Sequence, residues 1–159
     1  NGKTLASVNG GTSIKIWDMP TGKLQHTLET SSSEMSCSPN SVLPFALSSI
    51  AISPDGNTLV SGSYDGILKF WNLGTGELRS TFKIGKVNDL AISPDSQLLA
   101  SIHQNYAILI WDIKSGKLLA ELSGYPDEFV NVHFSPDGQT LLSQSRDGII
   151  RVWQSPARW

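Results

Sequence analysis

Three short segments recur at near-constant intervals along this 159-residue chain, and the recurrence restricts the fold more than any other feature of the sequence. Ser53-Pro54-Asp55, Ser93-Pro94-Asp95 and Ser135-Pro136-Asp137 stand 40 and 42 residues apart. Each Asp is followed 16 residues later by a tryptophan: Trp71, Trp111 and Trp153. Asn1 precedes Trp17 by the same 16 residues, so it takes the slot of Asp55, Asp95 and Asp137, and the chain starts inside a repeat. A period of this size means that each unit is one supersecondary element, which buries its apolar surface only by stacking on its neighbours.

Inside each unit the runs are short and β-like. Ile50-Ala51-Ile52, Thr58-Leu59-Val60-Ser61 and Ile67-Leu68-Lys69-Phe70-Trp71 are separated by Pro, Gly and Asp, the punctuation of an all-β chain. Asp55-Gly56 and Asp137-Gly138 suit tight turns, because glycine accepts positive φ. Thr21-Gly22, Thr75-Gly76 and Ser115-Gly116 each precede a further run: 23–28, 77–82 and 117–122. Four strands per full unit follow, fourteen in all when two end units carry three. No segment keeps a 3.6-residue apolar period, so helices are expected to be nearly absent.

Four antiparallel strands per roughly 40 residues describe the blade of a β-propeller. Ile16-Trp17-Asp18, Phe70-Trp71-Asn72, Ile110-Trp111-Asp112 and Val152-Trp153-Gln154 resemble the Trp-Asp ends of WD-repeat third strands. Leu59–Asp65 and Leu141–Asp147 resemble the family's Leu-Ala-Ser-Gly-Ser-x-Asp stretch. The likeness covers the chain except about residues 29–49, and the Ser-Pro-Asp-Gly and Thr-Gly-Lys-Leu wording is similar to the bacterial, especially cyanobacterial, branch. It implies an all-β, partial WD-repeat propeller with blades at approximately 1–28, 45–82, 87–122 and 129–153 and a long inter-blade loop at 29–49. At about 40 residues per blade the chain is just under four blades, the C-terminal half of a larger ring whose C-terminus reads as the closing end.

The resemblance also implies a hydrogen-bonded tetrad of His, Ser, Asp and Trp in each blade. Carried over residue by residue, the second unit offers Ser63, Asp65 and Trp71, and the fourth offers Ser145, Asp147 and Trp153. The third has His103 and Asn105 in the Ser and Asp slots, and the first has Asn9 and Gly11. The family's Gly-His pair is replaced by Gly124-Tyr125 before the fourth unit and by a shortened Ile84-Gly85-Lys86 before the third. The tetrad is therefore expected to be incomplete throughout.

Composition narrows the function. Twelve basic against fourteen acidic side chains give a net charge of -2, without the basic stripe of a general nucleic-acid binder or a polybasic membrane anchor. No apolar run approaches the roughly 18 residues of a membrane span, and Asn1-Gly2-Lys3-Thr4 does not open a signal peptide. The single cysteine, Cys37, forms neither an internal disulfide nor a metal cluster; a reducing, cytoplasmic setting is expected. His26, His103 and His133 are dispersed and read as packing residues. Gly74-Thr75-Gly76 lacks the third glycine of a dinucleotide fingerprint, since Arg79 stands there. Asp55, Asp95 and Asp137 fall one per blade, too far apart to share an ion. No catalytic constellation, metal or cofactor is expected.

The family's loops on the rim opposite the Ser-Pro-Asp turns are where its members grip proteins and peptides. Tyr64, Lys86, Gln104, Tyr125, Glu128 and Arg146 fall on that rim, and Tyr and Arg are enriched at binding hot spots. The expectation is a non-catalytic protein- or peptide-binding scaffold. Two alternatives come with it: the C-terminal sensor or regulatory module of a larger bacterial signalling enzyme such as a kinase, and a self-complementing oligomer joined through open blade edges.

Overall fold

The computed structural model describes residues 2–9, 13–30, 47–104, 107–124 and 128–154. Most of the expected 29–49 loop, with Cys37, lies outside them, as do Asn105, Tyr125 and Trp159. Fourteen strands and no helix form among the described residues. Blade 1 holds β1 (Thr4–Asn9), β2 (Ser13–Asp18) and β3 (Lys23–Glu29). Blade 2 holds β4 (Leu47–Ile52), β5 (Thr58–Ser63), β6 (Ile67–Asn72) and β7 (Leu78–Lys83). Blade 3 holds β8 (Val87–Ile92), β9 (Leu98–His103), β10 (Ala107–Asp112) and β11 (Leu118–Leu122). Blade 4 holds β12 (Phe129–Phe134), β13 (Thr140–Ser145) and β14 (Ile150–Gln154). Every pairing is antiparallel between consecutive strands. Four antiparallel sheets of three, four, four and three strands agree with the strand tally read from the repeats.

The strand joints follow from side chains. Ser53 Oγ accepts the Thr58 N–H at 2.9 Å and donates to Asp55 Oδ1 at 2.5 Å, while the same carboxylate takes the Asn57 N–H at 3.0 Å. The arrangement repeats at Ser93/Asp95 and Ser135/Asp137. This satisfies the turn donors and fixes the first hairpin of blades 2, 3 and 4. Gly56 and Gly138 close their turns at φ +78° and +71°, and Ser96 takes the same left-handed conformation at +62° in blade 3. Such a φ is unfavourable for a residue with a Cβ. Ser96 holds it while its hydroxyl accepts the Asp55 N–H of blade 2 at 3.1 Å.

Blades join face to face, and the core lies in the seams. Ile14, Ile16 and Leu28 of blade 1 pack on Leu59, Trp71 and Leu73 of blade 2. Val60, Leu68 and Phe70 of blade 2 pack on Val87, Leu90, Leu99 and Trp111 of blade 3. Ala100, Ile102, Ile108 and Ile110 of blade 3 pack on Phe129, Val132 and Leu141 of blade 4. Neighbours on both sides bury the whole of β5, whereas β13, covered on one side only, alternates between buried and exposed. Each fully buried aliphatic side chain contributes about 1.5–3 kcal/mol. The first strand β8 adjoins both β4 and β12, and Asp89 on β8 ties all three. It takes the Ser49 hydroxyl at 3.2 Å on one oxygen and the Val132 N–H at 3.0 Å on the other.

One seam position admits no side chain. A Cβ on Gly62 would sit 2.5 Å from Val87 Cγ1 and 2.8 Å from its Cβ, closer than packed atoms approach. Gly62→Ala is expected to lower stability by about 1–3 kcal/mol, the usual penalty of overpacking. Adding Val87→Ala should recover part of that loss beyond additivity, as read by urea unfolding of the four members of the cycle.

Candidate partner-binding rim

Antiparallel order sends the β5–β6, β9–β10 and β13–β14 turns and the inter-blade connections to the strand ends opposite the Ser-Pro-Asp turns. Tyr64, Gln104 and Arg146 occupy those turns, and Lys86 and Glu128 sit just before β8 and β12. The structure sorts them into two clusters, one per seam.

At the seam of blades 2 and 3, the Lys86 ammonium lies 4.8 Å above the centroid of the half-exposed Tyr64 ring, a cation–π contact across the seam. Gln104 is held to the same place because its N–H donates to the Lys86 carbonyl at 3.1 Å. At the seam of blades 3 and 4, the Arg146 N–H donates to the Glu128 carbonyl at 2.9 Å, and the Arg146 guanidinium stands 3.5 Å from the Glu128 carboxylate. Asn88 of blade 3 donates its side-chain amide to the other Glu128 oxygen at 2.9 Å. Asn88 escaped the sequence reading. Its only signal was its place two residues after Lys86, at the start of a first strand. Beside the first cluster lies an open cleft of about 360 Å³ lined by Ile84, Gly85, Lys86, His103 and Gln104. A second cleft, of about 530 Å³, lies at the opposite strand ends, where Asp55, Asp95 and Asp112 face Arg79 and Lys114.

Beneath the rim the tetrad expectation needs correction. The indole N–H of Trp71 donates to Ser61 Oγ at 3.0 Å, not to Ser63, and that of Trp153 donates to Ser143 Oγ at 2.8 Å, not to Ser145. Trp17 and Trp111 bond Ser7 and Ser101 in the same way, each at 2.9 Å. Ser63 instead shares its one hydroxyl proton between Asp65 and the Ile67 carbonyl, at 3.0 Å for the latter, and Asp65 accepts the Ile67 N–H at 3.2 Å. That pair therefore closes the β5–β6 turn beside Tyr64. Ser145 donates to the Ile149 carbonyl at 3.2 Å and accepts from Arg151, while Asp147 accepts the Ile149 N–H at 3.0 Å. The serine ten residues before each of the four repeat tryptophans, Trp17, Trp71, Trp111 and Trp153, was the signal that would have located the partner. All four indole–serine pairs form.

His103, in the slot of Ser63, is fully buried and pairs through Nε2 with Ser101 Oγ at 2.9 Å, extending the Trp111–Ser101 bond toward the cleft. Burial pushes its pKa below the ordinary histidine value, and the Gly85 backbone offsets part of that. Its Nδ1 is buried without a well-formed hydrogen bond. Among the described residues no three His, Cys, Asp or Glu side chains gather as metal ligands, and no helix is long and apolar enough to cross a membrane.

The model of the WD domain, G-beta repeat, matches residues 22–72, 76–112 and 116–154. The chain belongs to the WD-repeat family. Among its relatives is the small ribosomal subunit protein RACK1y of Oryza sativa subsp. japonica, 27% identical over 158 residues, 95% of this chain and 44% of the relative. The small ribosomal subunit protein RACK1 of Schizosaccharomyces pombe is 30% identical over 118 residues, 68% of this chain and 37% of the relative. Autophagy-related protein 16 of Arabidopsis thaliana is 26% identical over 154 residues, 96% of this chain and 28% of the relative. The chain thus spans less than half the length of each. These relatives are eukaryotic, so they lend nothing to the bacterial likeness.

Two outcomes test this chemistry. Ser61→Ala strands a buried indole N–H and should cost about 1–3 kcal/mol in urea unfolding. The depressed His103 pKa has a definite sign: the folded chain resists a proton that the unfolded chain accepts, so stability should decline as pH falls below the unfolded value of about 6.5. His103→Ser, which restores the residue type of Ser63 and Ser145, should flatten the fall between about pH 7 and 5, read by thermal melts across that range.

Proposed function

We propose that this chain is a non-catalytic protein- or peptide-binding scaffold whose partner docks on the rim that carries Tyr64, Lys86, Gln104, Glu128 and Arg146. Family membership supports the coarse reading: WD-repeat relatives of this kind are typically interaction scaffolds and generally not enzymes. One observation carries the choice of face. The Tyr64–Lys86 and Glu128–Arg146 pairs stand on the same rim at successive seams, giving an extended segment an aromatic and cationic contact first and a paired-charge contact next. Tyr125, in the connection before β12, joins the proposed surface by its position in the sequence. Scaffold loops tolerate this variety because the blades, not the loops, hold the fold. With a net charge of -2, the partner is taken to be a protein rather than a nucleic acid or a membrane, the setting cytoplasmic, and no cofactor is required.

Site-specific photo-crosslinking tests the face. A benzoylphenylalanine in place of Tyr64 or Arg146 should trap a protein partner in extract, and one in place of Lys114 on the opposite cleft should not. Arg146→Ala and Tyr64→Ala should each weaken the trapped interaction by about 2 kcal/mol or more, the scale of a hot-spot truncation. Crosslinks confined to position 114 would overturn the assignment.

A further inference from the structure

The two rim clusters occupy equivalent places in successive repeats, and only one of them is neutralised from within. Lys86 and Glu128 each stand immediately before a first strand, and Gln104 and Arg146 each stand immediately after a second strand. The same backbone bond joins each couple, from the Gln104 N–H to the Lys86 carbonyl and from the Arg146 N–H to the Glu128 carbonyl. At the seam of blades 3 and 4 the side chains complete an ion pair, and Asn88 adds its amide to the Glu128 carboxylate. At the seam of blades 2 and 3 an ammonium takes the carboxylate's slot and a neutral amide takes the guanidinium's. Among the described residues Lys86 pairs with no carboxylate. Ser48, in the slot of Asn88, turns back to the Gly62 carbonyl of its own blade at 3.0 Å. Asp65, beside Tyr64 in the chain, is held by Ser63 and the Ile67 N–H, and its charge acts on Lys69. The Tyr64 ring steadies the Lys86 ammonium through its π face, which leaves N–H donors for an acceptor.

A cleft accompanies this unmatched cation. The connection between β7 and β8, residues 84–86, has three residues against six in 123–128, and the cleft of about 360 Å³ opens beside it. Half-buried Lys86 and exposed Gln104 line its sides, and buried His103 forms its floor. Ser101 Oγ takes the Trp111 indole N–H and lies nearer to His103 Nε2, at 2.9 Å, than to the Leu109 carbonyl, at 3.4 Å. These bonds assign the ring proton to Nδ1, a buried donor without a well-formed partner. The floor therefore presents positive rather than negative partial charge. We propose that this cleft binds a side-chain carboxylate, an aspartate or glutamate in an extended acidic segment of the partner protein, with the Lys86 ammonium as counter-charge and the Gln104 amide as second donor. One cation on a chain of net charge -2 suits a monoanion better than a phosphate dianion. The inference rests on the rim reading for the class of partner and adds the chemistry that the rim selects.

Amide shifts of the 159-residue chain, titrated with end-capped Gly-Glu-Gly-Glu-Gly and separately with end-capped Gly-Gln-Gly-Gln-Gly, are the test. The glutamate peptide should shift Gly85, Lys86, His103 and Gln104 saturably, with a dissociation constant of about 1 mM. The glutamine peptide should bind at least about tenfold more weakly, the loss of a charge-assisted hydrogen bond. Lys86→Gln should bring the same loss, Lys86→Arg should retain binding, and added salt should weaken it. Lys86→Glu with Gln104→Arg copies the pair of the next seam into this one and should abolish binding, while unchanged shifts in the other blades show that the fold is intact. Equal binding of the two peptides, indifference to Lys86→Gln, or shifts centred on Arg146 or Lys114 overturns the proposal. So does inorganic phosphate that binds this cleft more tightly than the glutamate peptide. The two readings fail separately. A partner that crosslinks at position 64 as well with Lys86→Gln as without it removes this site and leaves the rim reading. A glutamate peptide that binds here while no partner crosslinks on the rim supports this site and removes that reading.

Discussion

Burial of each sheet on both faces by its neighbours is the constraint on which the rest of this structure depends. A single four-stranded blade has no interior of its own: Leu68 and Phe70 point away from their sheet, and only the arrival of Leu99 and Trp111 from the next blade removes them from water. The stability of such an array is a sum of seams, each linking nearest neighbours only. This explains why the tightest steric requirement, Gly62 against Val87, lies between blades. Some of the hydrogen bonds that cross seams start from turns and first strands, at Asp55–Ser96 and around Asp89. There the backbones of adjacent blades come close enough for a short side chain to reach.

The same constraint sets how much of the structure was legible in the sequence. Fold class and strand count could be read because they rest on local chemistry repeated in phase: a Ser-Pro-Asp turn, a glycine turn, a tryptophan at a fixed offset. The indole partner was misassigned although the information was present. Ser61 and Ser63 project from the same face of β5, and choosing between them requires knowing that the Trp71 ring reaches back opposite Leu59, its register partner, rather than toward the turn. Gly62 was invisible for a different reason. Its neighbour Val87 is 25 residues away and in another blade, so nothing local distinguishes a glycine that relieves a clash from one that merely weakens a strand.

The rim was legible as a place but not as a set of contacts. Position in the repeat put Tyr64, Lys86, Gln104, Glu128 and Arg146 at one end of the strands. It did not reveal that Lys86 leaves its own blade to cover Tyr64 of the previous one, nor that Asn88 reaches forward to Glu128. Both contacts cross seams, and a single repeat read by itself contains only one half of a cross-seam pair.

Placement at the seams has a consequence for how such a rim recognises anything. A cation–π contact and an ion pair at exposed sites are each weak, roughly 0.5–1 kcal/mol, so neither pair holds the blades together. Their partners are instead positioned by backbone bonds, Gln104 to Lys86 and Arg146 to Glu128, which are fixed by the strands beneath. The side chains are thus presented at a spacing that the core determines, and they remain free to exchange one another for a partner's carboxylate or ring at small cost. A rigid seam below and weak, replaceable pairs above make a surface that is organised before binding. On the proposed binding role, affinity would gain from not having to order the loops.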